Sequence, residues 1–221
     1  MHRRDILKTV LASTLGITFG YTGIVEGKGL FKKRMCNVDC STLAEEDAKV
    51  FRPDRWGGSN TINGHTHLTY YIWNRDNDFE ESIWDAEIAR SFDAWAKVTN
   101  LSFELTDDSV ESDMIIGVSN RKRSGFGRSG GILAWAQLPN NRHYDGQLWS
   151  MFDAAEDWTL SPDEEGILFR AVCAHEIGHL LGLGHSQFKG ALMYPYYSEH
   201  IETPQEQDDI PRIQRLYGKI K

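Results

Sequence analysis

The apolar residues in the middle of the chain form short runs around one longer amphipathic stretch. Residues 68–73 are β-branched and aromatic, which is typical of a strand. From residue 80 to 98 the large apolar residues recur at helical spacing, which predicts a helix laid across a sheet. The apolar run at 113–118 is typical of a buried strand. Further strands are predicted at 101–105, 132–136 and 147–152, and a last helix at 208–217.

Capping residues predict another helix at 161–181. Ser161 is a suitable N-cap, Pro162 suits the first helical position, and Glu164 completes a capping box. Gly182 can end this helix, because glycine adopts a positive φ at little cost.

Length and composition indicate one domain of ordinary size with other sequence attached. The chain has 221 residues, of which 40% are hydrophobic and 11% aromatic. Its formal net charge of −8 argues against nucleic acid or an anionic membrane surface as a partner. No segment approaches the roughly 20 consecutive apolar residues of a membrane span, so we expect no stable membrane anchor. We expect a monomer.

The N-terminal residues have the pattern of an export signal. Residues 1–21 place the pair Arg3 and Arg4 before a modestly apolar run, which indicates the twin-arginine route and a periplasmic or extracellular location. The alternative is a basic, frayed N-terminus on a cytosolic protein. Residues 22–60 show little periodicity and are predicted to be a linker or short pro-segment, so the folded domain is predicted at 61–221.

The strongest chemical signal lies in the predicted helix at 161–181. His175 and His179 are four residues apart and therefore share one helix face, where two neutral imidazoles can bind one Zn²⁺. Glu176 lies beside them as a candidate general base, and His185 can reach the same ion after the helix has ended. Three protein ligands leave a fourth position for water, which is the catalytic arrangement. The alternative is a chance pair of surface histidines.

The three cysteines do not form a disulfide framework, because an odd number leaves at least one unpaired. Cys36 precedes the domain, and a thiolate there could take the water's place on zinc and hold the enzyme latent. A Cys36–Cys40 bridge or two idle thiols are equally acceptable readings. Cys173 is expected to be a small buried apolar residue.

Longer patterns around these residues resemble a known family. The histidine stretch follows H-E-x-x-H-x-x-G-x-x-H, a metzincin signature, and Met193 supplies the Met-turn that completes it. Ser186 after the third histidine and the order of residues 208–218 are as in matrixins. Over residues 66–218 the chain resembles the matrixin catalytic domain, the matrix-metalloproteinase family.

The resemblance implies an α+β, metzincin (zincin-like) fold with a twisted five-stranded mixed sheet, three helices and an active-site cleft. It also implies a protein or peptide substrate, bound in extended form along the edge strand 132–136. The implied substrate-binding residues are Ala134 and Ala136 on that strand, Ala171 at the bottom of a deep pocket, and Pro195 and Tyr197 in the pocket wall.

The sequence departs from the matrixin pattern at the family's structural metal sites. Trp135 and Met151 stand where two zinc-binding histidines are expected, and Gly127 replaces an aspartate. Asp153 and Glu156 remain at calcium-ligand positions. Because an indole only donates hydrogen bonds and a thioether suits Zn²⁺ poorly, we expect one zinc, the catalytic one, and weak calcium binding or none.

These observations predict a secreted zinc-dependent endopeptidase that uses zinc-activated water. The alternative is a catalytically weak zinc- or peptide-binding module on a metzincin scaffold. Glu176 favours the enzyme, because a general base is needed for hydrolysis and not for binding zinc. Astacin-like and adamalysin-like proteases are a further alternative, against which Ser186 and residues 208–218 argue.

Overall fold

The computed structural model describes residues 34–36, 55–57, 60–75, 78–120, 126–127, 129–139 and 146–220, with the backbone alone at 34–36. The described residues all belong to one compact unit. The predicted export signal at 1–21, most of the predicted linker and Cys40 lie outside these ranges.

The described residues form three helices and nine strands. None of these helices has the length and apolar character that crossing a bilayer requires. The helices are α1 Glu81–Ala96, α2 Phe169–Leu180 and α3 Asp209–Tyr217. The strands are β1 Arg34–Cys36, β2 Thr61–Ile62, β3 His65–Ile72, β4 Leu101–Leu105, β5 Met114–Ser119, β6 Ile132–Ala136, β7 Leu148–Asp153, β8 Trp158–Thr159 and β9 Ile167–Leu168.

The main sheet is mixed and has the order β1-β6-β7-β5-β3-β2, with β4 paired to β3 as well. Strands β3, β4, β5 and β7 run parallel to their neighbours in that group, whereas β6 is antiparallel to β7. All five predicted strands are present, and the mixed sheet with three helices confirms the predicted α+β architecture. The described sheet has seven strands where five were predicted, because the short strands β1 and β2 extend it.

The core lies between one face of the sheet and helices α1 and α2. Trp84, Phe92 and Trp95 of α1 are almost fully buried, and the Trp84 ring meets Phe169 edge-to-face at 4.3 Å between centroids. The indole of Trp95 donates a 2.8 Å hydrogen bond to the carbonyl of Ala174, so the two helices are joined where α2 carries its histidines. Replacing such a buried tryptophan by alanine costs about 3–5 kcal/mol.

The predicted start of the second helix at residue 161 is wrong. Helix α2 begins at Phe169, and Ser161 instead accepts a 3.3 Å hydrogen bond from the Asp163 amide within a turn. Ile167 and Leu168 are buried and pair in β9 with β8, and Gly166 has a φ of 143°. The local capping signal was overridden because burial of Ile167 and Leu168 favours a strand. The positive φ of Gly166 also cannot continue a helix.

The folded part of the chain extends into the predicted linker at 22–60. The Trp56 indole donates a 2.8 Å hydrogen bond to the carbonyl of Leu180 at the end of α2. The Arg55 guanidinium donates to the Leu216 carbonyl at 2.6 Å, and the Trp56 amide donates to the Tyr217 hydroxyl at 3.1 Å. These contacts attach residues 55 and 56 to α2 and α3.

Candidate active site

The end of helix α2 brings a third histidine back towards the first two. Gly182 has a φ of 99°, its amide donates to the His179 carbonyl at 2.8 Å, and the Leu183 amide donates to the Gly178 carbonyl at 2.9 Å. These two bonds form a Schellman motif, which ends the helix and reverses the chain. The predicted role of Gly182 is confirmed.

His175, His179 and His185 lie together, with one ring nitrogen of each within 4.8 Å of the others. The Nε2 atoms of His175 and His179 are 3.1 Å apart. His175 Nδ1 donates to the Leu192 carbonyl and His179 Nδ1 to the Leu183 carbonyl, each at 2.7 Å. Since a carbonyl can only accept, these bonds place the proton on Nδ1 and leave both Nε2 atoms as acceptors.

Two acceptor nitrogens cannot hydrogen-bond to each other, so their approach to 3.1 Å is favourable only with a cation between them. Two nitrogens bound to one tetrahedral Zn²⁺ lie about 3.3 Å apart, given Zn–N distances of about 2.0–2.1 Å. The donor set, its tautomers and its spacing therefore fit zinc.

Burial keeps two of these histidines in the neutral form. It is the largest cause that lowers the pKa of His175 to about 3, and the charge of His185 acts in the same direction. Burial also lowers the pKa of His179 well below its ordinary value, with His175 and His185 adding to the effect. Metal binding requires neutral imidazole, and both rings are in that form at neutral pH.

The Met-turn lies directly against the helix that carries the histidines. Met193 is fully buried, and a Cβ on Gly178 would collide with its sulfur and lie 2.8 Å from Trp95. The Ser186 amide donates to the Met193 carbonyl at 2.8 Å, which joins the Met-turn to the residue after His185. Glycine is required at 178 for this close approach.

Asp209 of α3 holds the Met-turn in place, a role that its sequence pattern does not indicate. Its carboxylate accepts hydrogen bonds from the amides of Leu192, Met193 and Gln205 at 2.7, 3.1 and 2.9 Å. Burial raises the pKa of Asp209, and these three bonds act against that rise. Asp209 holds Leu192, and the Leu192 carbonyl accepts the hydrogen bond from His175. Asp209 therefore supports a candidate ligand from outside helix α2.

Glu176 follows His175 on α2 and is fully buried. Ala171, one turn before His175, is also fully buried. Pro195 and Tyr197 follow the Met-turn and are half-buried, and the Tyr197 hydroxyl accepts a 2.8 Å hydrogen bond from the Leu168 amide. Tyr197 thus lies against the start of α2.

The predicted substrate strand β6 pairs on both sides in the described chain. Ala134 and Ala136 lie opposite Phe152 and Ser150 of β7. On the other side β1 runs parallel to β6, with Arg34 opposite Ile132 and Cys36 opposite Ala134. The outer edge of β6 therefore accepts an extended segment of the same chain.

The positions of the family's structural metals are occupied differently here. Trp135 and Met151 are direct neighbours across β6 and β7, and Met151 is buried. The Asp153 carboxylate accepts the Gly127 amide at 3.0 and 2.9 Å, and Glu156 accepts the Gly130 amide at 2.8 Å. Backbone N–H groups bind these carboxylates directly, and nothing among the residues that the structure describes supports calcium.

The fold and the three-histidine cluster together define a protein of the metzincin class. Residues 61–218 match the matrixin family model, and the chain belongs to that family. It is 41% identical to matrix metalloproteinase-18 of Xenopus laevis over 159 residues, which are 69% of this chain and 32% of the relative. The bovine (Bos taurus) interstitial collagenase is 38% identical over 161 residues, 70% of this chain and 32% of the relative.

Stromelysin-1 of Equus caballus is 38% identical over 160 residues, which are 69% of this chain and 32% of that protein. The chain thus spans about a third of the length of these relatives. Matrixins are zinc-dependent endopeptidases that act on proteins and are mostly secreted, and the family implies zinc in this chain.

Proposed function

We propose that this chain is itself a zinc endopeptidase, with His175, His179 and His185 as zinc ligands and Glu176 as the general base. The observation that carries the proposal is the convergence of the histidines, two of them in a defined tautomer, beside a buried carboxylate. Bound Zn²⁺ lowers the pKa of water towards about 7 and stabilises negative charge on a carbonyl oxygen.

Glu176 has the proton-transfer role in this proposal. Its carboxylate accepts a proton as water attacks the scissile carbonyl and then delivers the same proton to the leaving amine. Met193 forms an apolar floor below the histidines and binds no metal. A polypeptide substrate would lie along the outer edge of β6, near Ala134 and Ala136, and the pairing of β1 with that edge supports this.

The pocket for the side chain after the cut is proposed to lie between α2 and the segment after the Met-turn. Ala171 sets its depth, and Pro195 with Tyr197 forms its wall. The small Ala171 favours large apolar side chains at that substrate position. A peptide library cleaved by the protein should show them there, and a preference for small or charged residues would contradict this pocket.

Export is proposed to depend on residues 1–21, with Arg3 and Arg4 as the twin-arginine pair. Replacing both by lysine should retain the protein in the cytoplasm of a bacterial host that has the twin-arginine route. Equal export of the variant would contradict the proposal.

Metal content tests the proposed function. The purified, dialysed chain should contain one zinc and little or no calcium by plasma mass spectrometry, and His185→Ala should lose that zinc. Removing the zinc with a chelator should abolish peptide hydrolysis, and adding Zn²⁺ should restore it. Two tightly held zincs, with one surviving in His185→Ala, would contradict the single-zinc assignment. Zinc binding without hydrolysis would support the binding-module alternative.

A further inference from the structure

The C-terminal helix α3 contacts the loop that carries His185 through Arg212. One guanidinium nitrogen of Arg212, Nη2, donates a 2.7 Å hydrogen bond to the carbonyl of Gly184, the residue before His185. The other terminal nitrogen, Nη1, pairs with the Asp208 carboxylate at 3.0 Å. The guanidinium thus joins α3 to the peptide group that enters the candidate ligand.

The peptide at Gly184 needs such a contact because glycine leaves it conformationally free. Gly184 has no side chain to pack, and a Cβ placed there would meet nothing within 4 Å. On one side Leu183 is hydrogen-bonded to His179 of α2. On the other side Ser186 is hydrogen-bonded to Met193 of the Met-turn. The Gly184 carbonyl lies between these two anchored residues, and Arg212 donates a hydrogen bond to it.

The chemistry of Arg212 suits a fixed contact. Its guanidinium is always charged and presents its donors in a rigid plane, so a hydrogen bond to a carbonyl is stronger than one between neutral groups. The side chain is only 21% exposed, which limits competition from water. Its pairing with Asp208 fixes the orientation of the plane.

We propose that Arg212 is a positioning residue for the metal centre: it holds the Gly184–His185 peptide so that His185 is ready to bind zinc. This inference rests on the proposed zinc-binding role of His185. Groups that orient metal ligands typically change metal affinity by about 10–100-fold when they are removed. We expect about a tenfold loss for Arg212, because it acts on the backbone beside the ligand and not on the imidazole.

The test compares Arg212→Ala, Arg212→Lys and Arg215→Ala in the full chain. Arg215 is exposed on the same helix and is the matched control for loss of a positive charge. Zinc affinity is measured by competition with a chromophoric chelator, and ligand geometry by the d–d absorption of the Co²⁺-loaded protein. Arg212→Ala should bind zinc about tenfold more weakly with an altered Co²⁺ spectrum, Arg212→Lys should recover part of the affinity, and Arg215→Ala should equal the parent.

Parent-like affinity and an unchanged spectrum in Arg212→Ala would overturn the inference, as would an equal loss in Arg215→Ala. If Arg212→Ala does not fold, Arg212→Met keeps the aliphatic stem without the donors and takes its place in the comparison. Failure of the proposed function looks different, because His185→Ala would then bind zinc as tightly as the parent does.

Discussion

The histidines of α2 owe their metal-binding form to backbone groups outside the helix. The Leu192 and Leu183 carbonyls accept the Nδ1 protons of His175 and His179, which directs both Nε2 atoms into the cluster. At this scale the sequence predicted the histidines and Glu176 from their spacing alone. Asp209 and Arg212 were not predicted, because they reach the cluster through tertiary contacts over 16 to 28 positions of sequence.

Cys173 gives a residue-scale prediction about alkaline stability. The thiol is fully buried, as predicted, and burial raises its pKa from 9.0 to about 12. Above pH 9 the unfolded chain releases this proton and the folded chain keeps it, so stability falls as the pH rises. Between pH 9 and 10 the parent should lose about 1 kcal/mol more than Cys173→Ala, measured by urea unfolding.

Buried tyrosines make Cys173→Ala the necessary comparison. Burial raises the pKa of Tyr70 to about 12 and also raises that of Tyr217. These groups have an ordinary pKa of 10.0 and destabilise both proteins at high pH, mainly through burial. The charge of Cys173 adds to the rise at Tyr70 in the parent only. If the two stability curves stay parallel from pH 7 to 10, the thiol does not titrate as described.

At the scale of elements, an ion-pair cluster joins two helices to the segment after the Met-turn. Arg170 of α2 pairs with Glu87 of α1 at 2.8 Å and with Glu202 at 2.6 Å. Glu202 lies five residues after Tyr197 in the proposed pocket wall. Arg170 precedes Ala171, so the cluster ties the segment beyond the wall to the helix at the proposed bottom of the pocket.

Glu202→Ala should free this segment and broaden the preference for the substrate side chain after the cut. The stability loss should stay below about 1 kcal/mol, because Glu202 is 27% exposed. Arg170→Ala should cost more, up to roughly 3 kcal/mol, because it removes one partner of the buried Glu87, which keeps Arg90. The measurements are urea unfolding and relative kcat/KM for peptides that differ at that position.

Glu199→Ala is the matched control, since Glu199 carries the same charge in the same segment and is exposed. An equal change in selectivity for Glu199→Ala and Glu202→Ala would mean that charge, and not the ion pair, sets the preference.

Element boundaries show where reasoning from sequence stops. Strands β4 and β6 have the predicted bounds. The start of α2 was misplaced by seven residues, with the N-cap at Leu168 and not at Ser161. Ser161 and Glu164 signal a cap locally, whereas the pairing of β8 with β9 depends on tertiary burial. The pairing of β1 with β6 was equally unforeseeable, since nothing in residues 34–36 specifies a partner strand.

At the scale of the whole molecule, residues ahead of the domain lie along the proposed substrate edge. Strand β1 pairs with β6 where a peptide would bind, and Cys36 lies opposite Ala134 in the register. We therefore expect latency in the full chain. Removing residues 1–50, which leaves Arg55 and Trp56 in place, should raise the rate of peptide hydrolysis.

Cys36→Ser separates the two possible causes of this latency. If the thiolate binds zinc, the substitution alone should raise the rate as much as the truncation does. If backbone pairing alone blocks the cleft, only the truncation should raise it. Equal rates for all three proteins would exclude an inhibitory role for the segment and leave it as a linker.

In the proposed mechanism three histidines hold the metal while Glu176 transfers the proton, so the decisive measurement separates metal binding from proton transfer. Zinc content and hydrolysis of a fluorogenic peptide are measured for the chain lacking residues 1–50, with Glu176 intact, replaced by alanine, or replaced by glutamine. Both variants should retain one zinc and the parent's stability, and hydrolysis should fall by roughly 10²–10⁴-fold, because a positioned general base contributes about that much. Hydrolysis at the parent rate by a zinc-loaded Glu176→Ala variant would exclude Glu176 as the general base.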